Sequence, residues 1–147
     1  MIVIADASCL ITLDNIGENN LLPSLYNEIY VTPEVAAEVG ESLPDWVNER
    51  SSTNINLINQ LVPDLEIGEA SSIALALELN NCLLIIDEKK GRRKAAELGL
   101  NITGTFGVII EALEKNLIAD PSSITNRLER VGFHISDSLK ARMQDKF

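Results

Sequence analysis

Two aspartates in this sequence stand directly after apolar runs, where a carboxylate leaving a buried strand could do chemistry. Asp6 follows the run MIVIA, and Asp87 follows CLLII. Two glutamates accompany them on predicted helices, because Glu38 lies in PEVAAEV and Glu69 lies at the start of GEASSIALALELN. The carboxyl ends of parallel strands form one edge of a sheet, which is where ligands gather in such folds. The four carboxylates are therefore predicted to share a site.

The chemistry of that site follows from its residue types. Carboxylates with no histidine or cysteine beside them are hard oxygen ligands, which suit Mg²⁺ or Mn²⁺ rather than zinc. Without a cation they would repel one another, and several of their pKa values would rise. The set therefore predicts a divalent ion. The reaction that such a site supports is phosphoester hydrolysis, in which ions orient water, polarise the phosphate and stabilise the leaving oxygen.

Each acid also has a simpler explanation when it is considered alone. Asp6 or Asp87 could cap the helix that follows it. Glu69 lies in a first helical turn, where a negative charge stabilises the helix macrodipole. It is the combination of two such aspartates in one small sheet with acids on neighbouring helices that favours metal binding.

Apolar runs and helical periodicity alternate along the chain, which predicts strands and helices in turn. Strands are expected at 1–5, 28–31, 82–86 and 101–103, with another short strand at 55–58. Helices are expected at 10–16, 21–26, 33–41, 68–80, 89–98, 106–117, 121–131 and 136–146, with a helical turn at Trp46 and Val47. Such alternation calls for an α/β fold with a mostly parallel sheet that is covered on both faces.

Length and composition fit one domain over residues 1–147, with 46 % hydrophobic residues available for its core. Cys9 and Cys82 lie inside apolar runs and are expected to be buried, free thiols. The N-terminal run has no positively charged leading region and contains Asp6, which argues against a signal peptide. The apolar runs are also far shorter than the roughly 20 residues of a membrane span. We therefore expect a soluble, cytoplasmic protein.

Charge is distributed unevenly along the chain, although the net charge of −10 would by itself argue against a nucleic-acid partner. Residues 1–88 carry 15 acids and one basic residue, a net charge of −14. Residues 89–147 carry 7 acids and 11 basic residues, a net charge of +4. Such asymmetry is typical of a nucleic-acid surface beside an acidic one, and solvated helix faces would explain it equally well.

Five short motifs resemble those of PIN domains, and in particular those of the VapC-type toxins of bacterial toxin–antitoxin pairs. They are DAS at 6–8, PEVAAEV at 33–39, GEA at 68–70, DE at 87–88 and TGTFGV at 103–108. The C-terminal GFHISDSLKARM resembles the tail of an uncharacterised PIN subgroup. The resemblance implies a PIN-like three-layer α/β/α sandwich with a short, mostly parallel central sheet. It also implies Mg²⁺ or Mn²⁺ as the cofactor and RNA as the substrate.

The resemblance also assigns roles to individual residues. The implied metal ligands are Asp6, Glu38, Glu69 and Asp87, with Glu88 competing for the fourth position. Ser8 and Thr105 match hydroxyls that support the acids or the water at the metal, and they complete the expected catalytic set. PIN domains often have a further Asp shortly after the fourth acid, where this chain has basic residues instead. Those expected to hold RNA phosphates are Lys89, Lys90, Arg92 and Arg93.

The predicted function is that of a metal-dependent endoribonuclease, which as a toxin would have an antitoxin protein as its partner. Related domains generally pair with a second copy, so a homodimer is expected by resemblance. Candidate residues for the dimer contact are Leu21, Leu22, Leu25 and Tyr26. Burial in the core is the simpler explanation of these four side chains.

Two other functions stay open at this point. The first is a catalytically weak PIN domain that binds RNA or a protein without cutting it. The second is a phosphotransfer domain of receiver or phosphatase type, which also places Asp at strand ends. A phosphatase would want a second Asp where Ser8 stands, and a receiver would want an acid pair where the first strand offers Asp6 alone.

Overall fold

Strands and helices alternate through most of the chain. The computed structural model describes residues 1–40 and 42–146. Its strands are β1 (Ile2–Ala5), β2 (Glu28–Val31), β3 (Val47–Glu49), β4 (Leu83–Ile85) and β5 (Asn101–Thr103). Its helices are α1 (Ala7–Asn15), α2 (Leu21–Leu25), α3 (Pro33–Val39), α4 (Ile55–Leu61), α5 (Ile67–Leu79), α6 (Lys89–Glu97), α7 (Thr105–Glu114), α8 (Pro121–Arg130) and α9 (Asp137–Lys146).

The described strands form one sheet in the order β3-β2-β1-β4-β5, and every neighbouring pair is parallel. Strand β1 lies at the centre, where Ile4 is opposite Tyr30 of β2 and Ala5 is opposite Ile85 of β4. Because β1 and β4 are parallel neighbours, the residues that follow them leave the sheet side by side at its carboxyl edge.

Alternating side chains along the strands bury two apolar layers, one on each face of the sheet. Val3 and Ala5 of β1 contribute to one layer, and Ile4 contributes to the other. Helices α1, α2, α7 and α8 cover the first layer, whereas α4, α5 and α6 cover the second. The result is a three-layer α/β/α sandwich with a short parallel sheet, as the sequence predicted.

Helix α3 shows how local sequence sets the bounds of an element near the site. Thr32 is its N-cap, since the Thr32 hydroxyl oxygen accepts a hydrogen bond from the amide of Val35 at 3.2 Å. The helix ends at Val39 because Gly40 adopts a left-handed conformation with a φ of 75°. The helix predicted over 33–41 is thus shorter than expected at its C-terminal end, and Glu41 lies outside the described residues.

The segment between α3 and α5 corrects two sequence predictions. The helical turn predicted at Trp46 and Val47 is wrong, because Val47–Glu49 pairs with β2 as an edge strand. The strand predicted at 55–58 is also wrong, because these residues begin α4. Asn54 caps that helix by accepting a hydrogen bond from the amide of Leu57 at 3.1 Å. Ile58 and Leu61, three residues apart, are its buried side chains.

Several expectations about burial are met. Cys9 and Cys82 are free and buried. Leu21, Leu22 and Tyr26 are also buried, and Leu25 packs against the same core, so the fold itself accounts for these side chains. Over residues 1–40 and 42–146, no helix has the length and apolar character needed to cross a membrane. Phe147, the last residue of the predicted domain, lies outside the described residues.

Candidate active site

Asp6 and Asp87 lie next to each other because they follow neighbouring parallel strands. The backbone amide of Asp87 donates a hydrogen bond to Oδ2 of Asp6 at 3.0 Å. In return, the Ser8 hydroxyl, two residues after Asp6, donates to Oδ2 of Asp87 at 3.0 Å. These two contacts join the ends of β1 and β4.

Asp6 is a buried carboxylate with a strongly perturbed pKa. It is the N-cap of α1, and its Oδ1 accepts a hydrogen bond from the amide of Cys9 at 2.8 Å. Burial raises the pKa of Asp6 most, and the charge of Asp87 raises it further, to about 7, although the amides of Cys9 and Asp87 act in the opposite direction. Capping is therefore a real role of Asp6, but a cap does not require burial beside a second acid.

Asp87 is held by three donors from two helices. The Thr105 amide donates to its Oδ1 at 2.7 Å, and the Thr105 hydroxyl donates to its Oδ2 at 2.6 Å, in addition to the bond from Ser8. Gly104 allows this close approach, because a Cβ atom there would lie 2.9 Å from Oδ1 of Asp87. The two hydroxyls singled out in the sequence, at Ser8 and Thr105, thus both contact Asp87.

The predicted acids line one cavity of about 320 Å³ at this edge of the sheet. Its acidic lining consists of Asp6, Glu38, Glu66, Glu69, Asp87 and Glu88. We call this the acidic cavity. Asp87 and Glu88 both line it, so the structure does not separate the two candidates for the fourth position. No Lys, Arg or His side chain is among its lining residues in the described part of the chain.

Glu66 was missed by the sequence analysis. It forms a capping box at the start of α5, in which Glu69 accepts a hydrogen bond from the Glu66 amide at 3.3 Å. The signal was the pair of acids three residues apart before an apolar helix. Burial raises the pKa of Glu69, and the nearby carboxylates of Glu88, Glu66 and Glu38 add to that rise.

The donor set of the acidic cavity fits a hard divalent cation. The four ion pairs among the described residues all lie elsewhere, so none of them neutralises these acids. The inner pair is fixed by hydrogen bonds, whereas Glu38 and Glu88 are exposed at the rim. Across the described residues, no three His, Cys, Asp or Glu side chains already form a group that could hold an ion. Rim carboxylates would have to turn inward to complete the coordination of an ion.

The basic residues of α6 do not enter the acidic cavity. Arg92 is half-buried, and its Nη1 donates a hydrogen bond to the carbonyl oxygen of Ile86 at 2.8 Å. Lys90 and Arg93 line a different cavity, between α4 and α6. Lys89 is exposed in the first turn of the helix. The role of these four residues in RNA binding stays a prediction.

The parallel sandwich and the acids at its carboxyl edge fit a protein of the PIN type. The chain belongs to the PIN-domain family, because it matches the DUF3368 family of PIN domains over residues 2–147. PIN domains are generally nucleases, and they generally use divalent metal ions. No protein with a curated description matches the chain. The family resemblance predicted from the motifs is confirmed, and membership of the VapC-like subgroup stays a prediction.

Proposed function

We propose that this chain is a Mg²⁺- or Mn²⁺-dependent endoribonuclease that hydrolyses RNA phosphodiester bonds. One observation carries the proposal: six carboxylates line a single cavity, and among the residues that the structure describes no cation lines it. Such a cavity is unfavourable when empty, because its charges repel one another. A divalent ion would offset that repulsion.

In this proposal Asp6 and Asp87 would hold the ion, and Glu38, Glu69 and Glu88 would be its further ligands. A bound divalent ion supplies Lewis acidity toward the phosphate and lowers the pKa of water. Thr105 and Ser8 hold the carboxylate of Asp87 in one orientation, so that it needs no rearrangement when substrate arrives.

Cleavage of single-stranded RNA by the purified chain tests the proposal. With Mn²⁺ or Mg²⁺ we expect cleavage that stops in EDTA and is lost in Asp6→Asn and in Asp87→Asn. Asp14→Asn is the matched control, because Asp14 is an exposed aspartate on α1 that does not line the acidic cavity. Circular dichroism would check that each variant folds. Cleavage that survives in both site variants would refute the proposal, as would failure to cleave varied RNAs with either metal.

A second candidate is a PIN domain that binds RNA or protein without cutting it. The absence of a preassembled three-ligand group among residues 1–40 and 42–146 favours it. Titration with Mn²⁺ in a calorimeter separates the two candidates. Binding of the ion together with cleavage supports the nuclease, whereas RNA binding with neither supports the second candidate.

The finer form of the proposal makes the nuclease the toxin of a toxin–antitoxin pair, acting in the cytoplasm as a homodimer. It is supported by the motif resemblance alone. Induced expression should arrest bacterial growth, and Asp6→Asn should abolish the arrest. Unimpaired growth, with RNA cleavage demonstrated in vitro, would remove the toxin role and leave the nuclease.

A further inference from the structure

A groove between α4 and α6 has the chemical character of a site for a nucleic-acid strand. Its volume is about 430 Å³, within the range of pockets that hold a small molecule. We call it the α4–α6 groove. Its charged and apolar lining consists of Leu57, Leu61, Asp64, Leu65, Lys90, Arg93, Lys94, Glu97 and Leu98.

The α4–α6 groove borders the acidic cavity at two places in the chain. Leu65 lines the groove and Glu66, the next residue, lines the acidic cavity. Glu88 lines the acidic cavity, and Lys90, two residues later, lines the groove. Consecutive Cα atoms are about 3.8 Å apart, so the backbone at 65–66 and 88–90 forms part of the boundary between the two spaces. A strand with one phosphate in the acidic cavity can therefore continue into the groove.

Lys90 and Arg93 are the cations of the groove that are available to a ligand. Lys94 lies 3.5 Å from Glu97, which engages its charge. Lys90 and Arg93 are exposed, and neither has an ion pair within the described part of the chain. The acid Asp64 lies on the opposite wall, so the charge of the groove is mixed and its cations lie on the α6 side.

The apolar wall gives the groove a second recognition element. Leu98 lines it and is 37 % exposed, so it offers apolar surface to a ligand. Apolar surface beside cations suits unpaired nucleotides, which present flat base faces and a charged backbone together. A purely acidic polypeptide would use the cations and leave Leu98 uncovered.

We propose that the α4–α6 groove binds the single-stranded RNA that flanks the phosphate in the acidic cavity. Lys90 and Arg93 contact backbone phosphates, and Leu98 with its neighbours contacts a base or ribose. This inference rests on the proposed nuclease function, because that function places the strand at the acidic cavity. It separates Arg92, which holds the backbone at Ile86, from the two residues that hold RNA.

The test is binding of a labelled, single-stranded RNA oligonucleotide to the full chain in EDTA, measured by fluorescence anisotropy over a range of salt concentrations. We expect the double variant Lys90→Ala/Arg93→Ala to bind more weakly. Its slope of log K against log salt should be smaller by about 1.4, because each lost contact to a single strand contributes about 0.7. The charge-matched control is Lys115→Ala/Arg130→Ala, which removes exposed cations at the C-terminal ends of α7 and α8.

Equal losses in the two double variants, or no loss in either, would overturn the inference. If polyglutamate competes with the labelled RNA as well as unlabelled RNA does, the inference is overturned in favour of an acidic protein partner. Leu98→Glu should weaken RNA binding at high salt, where the apolar contact dominates. Cleavage is assayed separately with Mn²⁺. If the chain cleaves RNA but its RNA binding does not depend on Lys90 and Arg93, the groove proposal is wrong and the nuclease proposal stands. If RNA binding depends on these two residues but no RNA is cleaved, the nuclease proposal is wrong and RNA binding in the groove stands.

Discussion

The metal-free protein is predicted to lose stability as the pH rises from about 4 to about 7, because Asp6 must ionise in a buried site. Its burial, and then the charge of Asp87, raise the pKa of Asp6 from 3.8 to about 7. Between these values the folded protein keeps a proton that the unfolded chain has released. A rise in pH through this window therefore favours the unfolded chain, and below the window the penalty is absent.

The magnitude follows from the same two pKa values. One pKa unit is about 1.4 kcal/mol, so the difference between 3.8 and about 7 corresponds to a loss of about 4 kcal/mol. Asp6→Asn removes this titration. It also leaves one of the two backbone amides, of Cys9 or Asp87, facing an NH₂ group, at a cost of about 1–3 kcal/mol at every pH. The substitution should destabilise the protein below pH 4 and stabilise it above pH 7.

Urea unfolding followed by circular dichroism, in EDTA and at several pH values, measures this difference. The curves of unfolding free energy against pH for wild type and Asp6→Asn should cross. Asp14→Asn, the exposed aspartate on the same helix, reports what removal of a charge outside the cavity does. Parallel curves for wild type and Asp6→Asn would refute the account of Asp6 as a desolvated acid beside a second charge. Mn²⁺ should then stabilise the wild type above pH 7 and stabilise Asp6→Asn less.

Three further predictions concern the residues that hold the site. Thr105→Val removes the hydroxyl that lies 2.6 Å from Oδ2 of Asp87, so it should lower the free energy of unfolding by about 1–3 kcal/mol. It should also lower kcat more than it raises KM for RNA, and unchanged kinetics would contradict the positioning role. Gly104→Ala would place a methyl group 2.9 Å from Oδ1 of Asp87 and 3.0 Å from Nη1 of Arg92, so it should lower the free energy of unfolding by about 1–3 kcal/mol. It should also weaken Mn²⁺ binding in a calorimetric titration, and an unaltered affinity would contradict the role of Gly104 beside Asp87. Arg92→Met removes the hydrogen bond to the Ile86 carbonyl, so it should lower the free energy of unfolding in urea by about 1.5–3 kcal/mol. RNA binding in EDTA should keep its slope of log K against log salt, and a reduced slope would show that Arg92 also contacts RNA.

Most of the sandwich could be predicted from the sequence because its central strands are buried on both faces. Strands β1 and β4 are uninterrupted apolar runs, and α5 is almost wholly apolar, so both signals are strong. The prediction failed at the sheet edge. Val47–Glu49 has one half-buried side chain and two exposed ones, which leaves no alternation to detect. Residues 55–58 do not by themselves show the helical period of α4, because its two buried side chains are Ile58 and Leu61 and its cap is Asn54.

The inner part of the site could also be predicted, since an acid that directly follows a buried parallel strand lies at the carboxyl edge of the sheet. The convergence of Asp6 and Asp87 required only that β1 and β4 be parallel neighbours. The direction in which each α6 side chain points was harder to predict, because a run of basic residues has no helical period that separates one face of the helix from another. Gly91 and Ala95 are the buried residues of this helix. They orient it so that Lys90 and Arg93 face α4 while Arg92 points back to the end of β4.

The acidic cavity costs the fold stability, and this cost is the physical argument that the cavity has a function. A fold that needed only a cap for α1 would be served by an exposed Ser or Asn, without burial beside a second carboxylate. Here the two inner acids are fixed by backbone amides and hydroxyls, so they cannot relax away from each other. A buried carboxylate pair that lowers the stability of its fold is characteristic of a binding or catalytic site. Because Asp6→Asn is expected both to abolish cleavage and to stabilise the metal-free protein above pH 7, the two measurements together separate a functional acid from a structural one.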